Sequence, residues 1–256
     1  MAATLILSPT YNERENVRTL ADGVLAACPE ANLLFLDDHS PDGTGAVIDE
    51  MAARDPRILV LHRPAKQGLG RAYLAGFAWA LERHYERIVT MDADLSHQPS
   101  ALPALLAGLD RADVVIGSRY IDGIRVMNWP LGRLMLSKSA AFYARMVTGM
   151  PVSDPTGGFI AYRREVLQNL PLDQVAANGY SFLIEMKHSA WRAGFRLAET
   201  PITFMDRTNG VSKMSGAIIR EAIWVVWKLL LKGGLRRRPP DRPHPSSIAA
   251  GTGAPG

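Results

Sequence analysis

The chain has 256 residues, 47% of them apolar, which suits one α/β domain of the larger kind or a domain with appendages. Its net charge of +4 favours an anionic ligand or membrane surface over an acidic partner, and is too small to predict nucleic-acid binding. The single cysteine, Cys28, excludes an intrachain disulfide and predicts a reducing, cytoplasmic compartment. The sequence has no signal-peptide pattern and no run of about 18 apolar residues, so we expect no segment that crosses a membrane.

Short apolar runs alternate with helical patterns in the first half of the chain. The runs predict strands, which lie at residues 4–8, 32–36, 58–61, 87–91 and 114–117. The helical patterns fall between them, at residues 12–28, 44–53, 68–84 and 99–109. Alternating strands and helices predict an α/β fold with a mostly parallel sheet and helices on both faces.

The second half of the chain is less regular. Its predicted elements are a helix at 131–147, a loop and strand at 155–163, a helix at 180–193, a strand at 196–205 and a helix at 215–232. The residues from 236 onward are rich in Pro, Gly and Ser and predict a disordered tail. The pattern therefore divides the chain into a main domain (1–214), an amphipathic helix (215–235) and a basic, Pro/Gly-rich tail (236–256).

Polar residues follow four of the predicted strands at the point where each strand ends. Proteins with a parallel α/β sheet bind their ligands at the carboxyl ends of the strands. The residues concerned are Tyr11, Asn12, Glu13, Asp37, Asp38, Asp92, Asp94 and Arg119. This shared edge is the clearest functional signal in the sequence.

The segment Asp92-Ala93-Asp94 predicts a metal site. The motif is expected about once by chance in a chain of this composition, but here it directly follows a strand, so both carboxylates can converge on one cation. Carboxylate oxygens suit Mg²⁺ or Mn²⁺, ions that also bridge diphosphate oxygens. The alternative is a solvated turn with a capping aspartate.

Other polar segments leave two interpretations open. Asp38 could bind a ribose or base, or could belong to the turn that Asp42 and Gly43 predict. The glycines around Leu69 are more typical of a helix start near a ligand than of a phosphate loop. Several cations could offset the charge of two anionic reactants, or could simply be solvated: Arg119, Arg125, Arg133, Lys138, Arg207 and Lys213. The histidines fit no zinc spacing and are interpreted as structural.

The sequence resembles glycosyltransferase family 2, and within it the polyprenol (dolichol) monophosphate mannose synthases. The resemblance covers about residues 5–215. The matching segments, in chain order, are PTYNEREN (9–16), LDD (36–38), SPDGT (40–44), GLG (68–70), MDADLSH (91–97), GSRY (117–120), DPTGGF (154–159), GYSF (179–182) and DRTNGVSK (206–213). The segments from Gly117 onward are the ones more specific to the mannose synthases.

This resemblance implies a GT-A fold and an inverting transfer of mannose from GDP-mannose to a polyprenyl monophosphate. It assigns the donor to Pro9, Tyr11, Glu13, Leu36, Asp38, Asp92, Ala93, Asp94, Arg119, Arg207 and Lys213. It assigns the acceptor phosphate to Arg119, Arg133 and Ser137, the metal to Asp92 and Asp94, and the chemistry to Asp94, Arg119 and Arg133. Ser96 is a weaker candidate ligand, because some relatives carry Gln at that position.

A lipid acceptor requires contact with the membrane. The helix at 131–147 and the helix at 215–232 could each bind the membrane surface or pack on the core, and the helix at 215–232 could also bind an integral membrane subunit. We therefore expect a peripheral enzyme on the inner face of the membrane. The alternatives are a polyprenyl-phosphate glucosyltransferase using UDP-glucose, a nucleotidyltransferase that makes sugar nucleotides, and a non-catalytic nucleotide- or lipid-binding module.

Overall fold

A computed structural model describes residues 3–175 and 179–206, without the side chain of Tyr180. The strands are β1 (Thr4–Thr10), β2 (Asn32–Asp37), β3 (Ile58–His62), β4 (Arg87–Thr90), β5 (Val114–Ser118), β6 (Val126–Met127), β7 (Ile160–Arg163), β8 (Leu197–Pro201) and β9 (Phe204–Met205). The α-helices are α1 (Val17–Ala27), α2 (Thr44–Ala52), α3 (Leu69–Glu82), α4 (Leu102–Gly108), α5 (Leu131–Thr148), α6 (Arg164–Asn169) and α7 (Gly179–Arg192). Short 3₁₀ helices occupy Pro99–Ala101 and Leu172–Gln174. The predicted helix at 215–232, the tail, Arg207 and Lys213 lie outside the described residues.

The large sheet has the strand order β3-β2-β1-β4-β7-β5-β8 within the described part of the chain. Only β7 in this sheet is antiparallel to its neighbours, so the predicted mostly parallel sheet is confirmed. Side chains alternate along each strand, so Leu5 and Leu7 pack into one core cluster and Ile6 into another, on the opposite face.

Two predicted elements have different limits in the structure. The strand predicted at 196–205 is wrong as one element, because β8 ends at Pro201 and β9 pairs with β6 in a separate small sheet. The helix predicted from residue 12 begins only at Val17. The residues before it form a loop held by side chains of the next βα connection: Ser40 and Thr44 accept hydrogen bonds from the backbone N–H groups of Asn12 (3.2 Å) and Glu13 (3.0 Å).

Helix α5 turns apolar side chains toward solvent. Its residues Leu131, Met135, Phe142 and Met146 are each more than half exposed, whereas Ala141 and the small residues near it face the protein. Of the two alternatives left open for this helix, packing on the core therefore does not apply to these four side chains. No described helix is both long enough and apolar enough to cross a bilayer.

Candidate active site

A cleft of about 280 Å³ opens at the edge of the sheet where the parallel strands end. The predicted site residues that line it are Pro9, Tyr11, Glu13, Asp38, Asp92, Ala93, Asp94, Arg119 and Arg133. They come together because β1, β2, β4 and β5 are parallel and end at one edge. Gly68 and Leu69, at the start of α3, also line the cleft, in accord with a helix start near a ligand.

The two carboxylates of the Asp92-Ala93-Asp94 segment occupy the same cleft and are held by neighbouring groups. The buried hydroxyl of Tyr73 donates to Asp92 at 3.4 Å, and the backbone N–H of Asp92 donates to Nδ1 of His97 at 3.2 Å. Asp94 accepts a hydrogen bond from the backbone N–H of Ser96 at 3.1 Å. These contacts fix the loop that follows β4, so both carboxylates are preorganised for a ligand.

These carboxylates fit a divalent ion such as Mg²⁺ or Mn²⁺, which prefers oxygen ligands. Gly158 has no side chain, which leaves space beside Asp92: a Cβ atom at residue 158 would occupy this space, 3.8 Å from both carboxylate oxygens of Asp92. In the described residues no group of three or more His, Cys, Asp or Glu side chains could hold a metal. The hydroxyl of Ser96 is buried and has no hydrogen-bond partner among the described residues, and Ser96 does not line the cleft.

His97 contributes more to the site than its sequence position indicated. Its ring stacks on Phe159 at 5.1 Å and lines the cleft beside Asp92. Because Nδ1 accepts the Asp92 N–H, the neutral ring carries its proton on Nε2. His97 therefore positions the carboxylate loop, and its Nδ1 lone pair is not available to act as a base.

Arg119 is bound through a bidentate ion pair. Its Nε and Nη2 atoms donate to the two carboxylate oxygens of the fully buried Asp154, each at 2.7 Å. Burial alone would raise the pKa of Asp154, but the charge and hydrogen bonds of Arg119 hold that pKa below its ordinary value. Much of the positive charge of Arg119 is thus compensated inside the protein, and the ion pair ties the end of β5 to the loop that contains Asp154.

The loop from Asp154 to Gly158 rests on a second buried cation that the sequence analysis missed. Lys187 of α7 is fully buried, and its ammonium donates to the carbonyl oxygens of Pro155 (2.9 Å) and Gly157 (2.6 Å). Glu199 of β8 accepts the backbone N–H of Asp154 at 2.9 Å. Desolvation lowers the pKa of Lys187 to about 7, although the nearby carboxylates oppose that change. Two acids and two cations thus hold the loop whose glycines line the cleft.

The opposite end of the cleft, near β1 and β2, contains a buried ion pair between Asp38 and Arg63. Arg63 also donates to the side chain of Gln67 at 3.0 Å. Burial raises the pKa of Asp38, and the charge of Arg63 opposes that rise. Asp38 therefore belongs to the cleft, and a carboxylate has enough lone pairs to accept a further hydrogen bond from a ligand. Leu36 is fully buried in the core and does not line the cleft, so its side chain is not placed to meet a donor.

Two of the three acceptor residues implied by the resemblance, Arg133 and Ser137, lie on α5, and the third, Arg119, directly follows β5. Arg133 lines the cleft, and its Nη1 atom donates to Asp206 at 2.8 Å. Its guanidinium carbon lies 4.2 Å from the ring centroid of Trp129, a second cleft residue that the sequence analysis missed. Ser137 does not line the cleft, and it accepts a hydrogen bond from the hydroxyl of Tyr120 at 2.7 Å.

Comparisons with known proteins identify the family and the relatives of this chain. The family model described as glycosyl transferase family 2 matches residues 5–170. The chain is 51% identical over 236 residues to polyprenol monophosphomannose synthase of Mycolicibacterium smegmatis, covering 91% of this chain and 89% of the relative. It is 46% identical over 237 residues to undecaprenyl-phosphate mannosyltransferase of Micrococcus luteus, covering 91% and 98%. Dolichol-phosphate mannosyltransferase of Pyrococcus furiosus is 34% identical over 88% of this chain and 63% of its own length.

Solved structures share the fold at low sequence identity. Glucosyl-3-phosphoglycerate synthase from Mycobacterium tuberculosis, in complex with Mn²⁺, UDP and glucosyl-3-phosphoglycerate, has a TM-score of 0.67 at 19% identity, covering 89% of this chain and 80% of that one. These matches confirm the GT-A fold predicted from the sequence. The chain belongs to glycosyl transferase family 2, and its resemblance to the polyprenyl-phosphate mannose synthases of that family is confirmed.

Proposed function

We propose that this enzyme transfers mannose from GDP-mannose to a polyprenyl monophosphate, with inversion at the anomeric carbon. The observation that carries the proposal is one cleft that joins the acidic pair Asp92 and Asp94 to the cationic Arg133, in a chain 51% identical to a polyprenol monophosphomannose synthase. A nucleotide sugar fits the acidic end through a metal ion, and a lipid phosphate fits the end that carries Arg133.

The donor would bind along the ends of β1, β2 and β4. Pro9, Tyr11, Glu13 and Asp38 line the part of the cleft that would take the guanosine. Asp92 and Asp94 would hold Mg²⁺ or Mn²⁺, which supplies positive charge to the departing diphosphate. Arg207 and Lys213 remain proposed donor residues by resemblance, outside the described part of the chain.

The chemistry would be an in-line attack by a phosphate oxygen of the acceptor on the anomeric carbon. The carbon–oxygen bond to the diphosphate breaks as the new carbon–oxygen bond forms, and GDP leaves. At neutral pH a phosphate monoester is largely ionised, since its second pKa is about 6, so no protein base has to remove a proton. This agrees with the role of His97, whose Nδ1 is occupied by a backbone N–H. The protein therefore acts by positioning the reactants and stabilising charge.

A direct assay tests the donor and the acceptor together. Purified enzyme with Mg²⁺ is incubated with labelled GDP-mannose or UDP-glucose and a polyprenyl monophosphate, and the lipid product is extracted. We expect label in the lipid only from GDP-mannose, and a β-anomeric signal in the NMR spectrum of the product. Labelled lipid from UDP-glucose alone would favour the glucosyltransferase, and an α-anomer would exclude inversion. In a separate incubation, formation of GDP-mannose and pyrophosphate from mannose 1-phosphate and GTP would favour the nucleotidyltransferase.

Helix α5 is our proposed contact with the membrane surface. It presents exposed Phe142 and Met146 together with basic residues, and it contains no acidic residue between Leu131 and Thr148. Apolar side chains beside basic ones suit the interface of an anionic membrane. The contact would bring the cleft to a lipid phosphate at the inner face of the membrane.

Vesicle flotation tests this contact. The double variant Phe142→Ser with Met146→Ser removes apolar area without changing charge. Burial of each such side chain contributes about 1.5–3 kcal/mol, so we expect at least a tenfold weaker partition into vesicles that contain anionic lipid. The melting temperature serves as the control, because both side chains are exposed and their loss leaves the core intact. Unchanged flotation of the folded variant would contradict the role of α5.

A further inference from the structure

Trp129 lies in the cleft between two cationic groups and an aromatic ring. The guanidinium carbon of Arg133 lies 4.2 Å from its ring centroid, and that of Arg119 lies 5.6 Å away. The ring of Phe204 meets the indole edge to face, with centroids 5.4 Å apart. A guanidinium within about 6 Å of an aromatic ring centroid attracts it, so these contacts hold the indole in one orientation.

The indole N–H of Trp129 is buried and has no hydrogen-bond partner among the described residues. The Nε–H of Arg133, which stacks on the same ring, is in the same situation. A buried donor without a partner costs about 1–3 kcal/mol, and nearly all buried polar groups in proteins are paired. An indole nitrogen only donates, so it can be satisfied only by an acceptor atom. Two such donors on adjacent side chains at the cleft indicate an acceptor supplied by a ligand.

The charges nearby favour an anionic oxygen as that acceptor. The guanidinium of Arg133 donates to Asp206 through Nη1, and its Nε–H is a separate donor that points elsewhere on the same charged group. The diphosphate of the donor is expected at Asp92 and Asp94, on a different loop that follows β4. A monophosphate group has several oxygen acceptors and can bind an indole N–H and a guanidinium together.

We propose that the indole N–H of Trp129 donates a hydrogen bond to a phosphate oxygen of the lipid acceptor, beside the Nε–H of Arg133. The inference rests on the proposed function and adds an acceptor-specificity residue to it. Trp129 would distinguish a polyprenyl phosphate from the free polyprenol, because the alcohol offers no ionised oxygen to this pair of donors.

NMR of the full-length enzyme labelled with ¹⁵N-tryptophan gives a readout that is independent of turnover. Each of the five tryptophans has one indole N–H signal, and Trp129→Phe identifies the signal of Trp129. The probes are a short-chain polyprenyl monophosphate, the matching polyprenol, and GDP with Mg²⁺. We expect the Trp129 signal to move downfield with the monophosphate and to stay in place with the polyprenol and GDP.

Kinetics of Trp129→Phe complete the test, because phenylalanine keeps an aromatic ring and removes the N–H. A hydrogen bond to a charged group contributes about 1.5–3 kcal/mol, so we expect the KM for the acceptor to rise roughly 10- to 100-fold while the KM for the donor is unchanged. Tyr143→Phe is the matched control, since the Tyr143 hydroxyl is also buried without a partner in the described structure, but lies outside the cleft.

The outcomes separate this inference from the proposed function. Binding of the monophosphate by the wild-type enzyme is measured by broadening of the ³¹P signal of the lipid. If the wild type binds it but neither the Trp129 signal nor the acceptor KM of the variant changes, this inference alone is overturned. A Trp129 signal that responds to GDP and not to the lipid also overturns it and moves the residue to the donor. Wild-type enzyme that does not bind the monophosphate overturns both.

Discussion

Replacing Asp94 by Asn is expected to lower mannosyl transfer by at least 100- to 1000-fold, the range typical of losing one preorganised electrostatic contact. The amide keeps an oxygen that can accept the backbone N–H of Ser96, so the loop after β4 should keep its shape. What is lost is the negative charge that would bind the proposed metal ion. The measurement is initial rate at saturating GDP-mannose and acceptor with Mg²⁺ or Mn²⁺.

Binding of Mn²⁺ gives this experiment a second readout. Electron paramagnetic resonance in the presence of GDP should show tight binding by the wild type and weak binding by Asp94→Asn. The matched control is Asp110→Asn, which removes an exposed carboxylate outside the cleft and should change neither measurement. Near-normal transfer and Mn²⁺ binding by the Asp94 variant would refute the metal assignment.

Replacing Lys187 by Met should destabilise the fold and also impair the site. The change leaves the carbonyl oxygens of Pro155 and Gly157 without their buried donor, and leaves Asp154 and Glu199 with one cation fewer. Breaking a buried ion network costs about 3–5 kcal/mol, partly offset here because no ammonium has to be desolvated. We expect the free energy of unfolding in urea to fall by about 3 kcal/mol, and kcat to fall because Gly157 moves. Arg111→Met, at an exposed position outside the cleft, is the control.

The pH dependence of this loss has a definite sign. The pKa of Lys187 is about 7 in the folded state and 10.5 in the unfolded chain, so the unfolded chain binds more protons between these values. The wild type therefore gains stability from this group as the pH rises from about 7 to 10.5, while the methionine variant has no such group. The free energy of unfolding of the wild type should therefore exceed that of the methionine variant by more at pH 9 than at pH 6. The reverse order would contradict the buried position of this amine.

The placement of the site was predictable because it follows from local patterns. Apolar runs mark the buried parallel strands, and the residues after each run must lie at one edge of the sheet. This is how Tyr11, Asp38 and Asp92 were identified together. The residues between Tyr11 and Val17 form a loop instead of the predicted helix, because the backbone N–H groups there donate to the hydroxyls of Ser40 and Thr44, which are distant in the sequence.

The missed residues act through contacts that the sequence does not record. Trp129 acquires its position from Arg133 and Phe204, and His97 from the backbone of Asp92. Lys187 had a local signal that could have been used. It lies four residues after the buried Leu183, on the core-facing stripe of α7, where a lysine is unusual unless it is paired.

The single antiparallel strand of the large sheet has a topological consequence. Because β7 runs against β4 and β5, its beginning lies at the edge where its neighbours end, so the chain leaves the sheet after Ser118 and re-enters it at Ile160 on the same side. Trp129, Arg133 and α5 all belong to this one continuous segment between β5 and β7, and none of it forms part of β1, β2 or β4. Under the proposed function, the donor and the acceptor would therefore be bound largely by separable parts of one chain, and the acceptor part could change in sequence without shifting the register of those three strands.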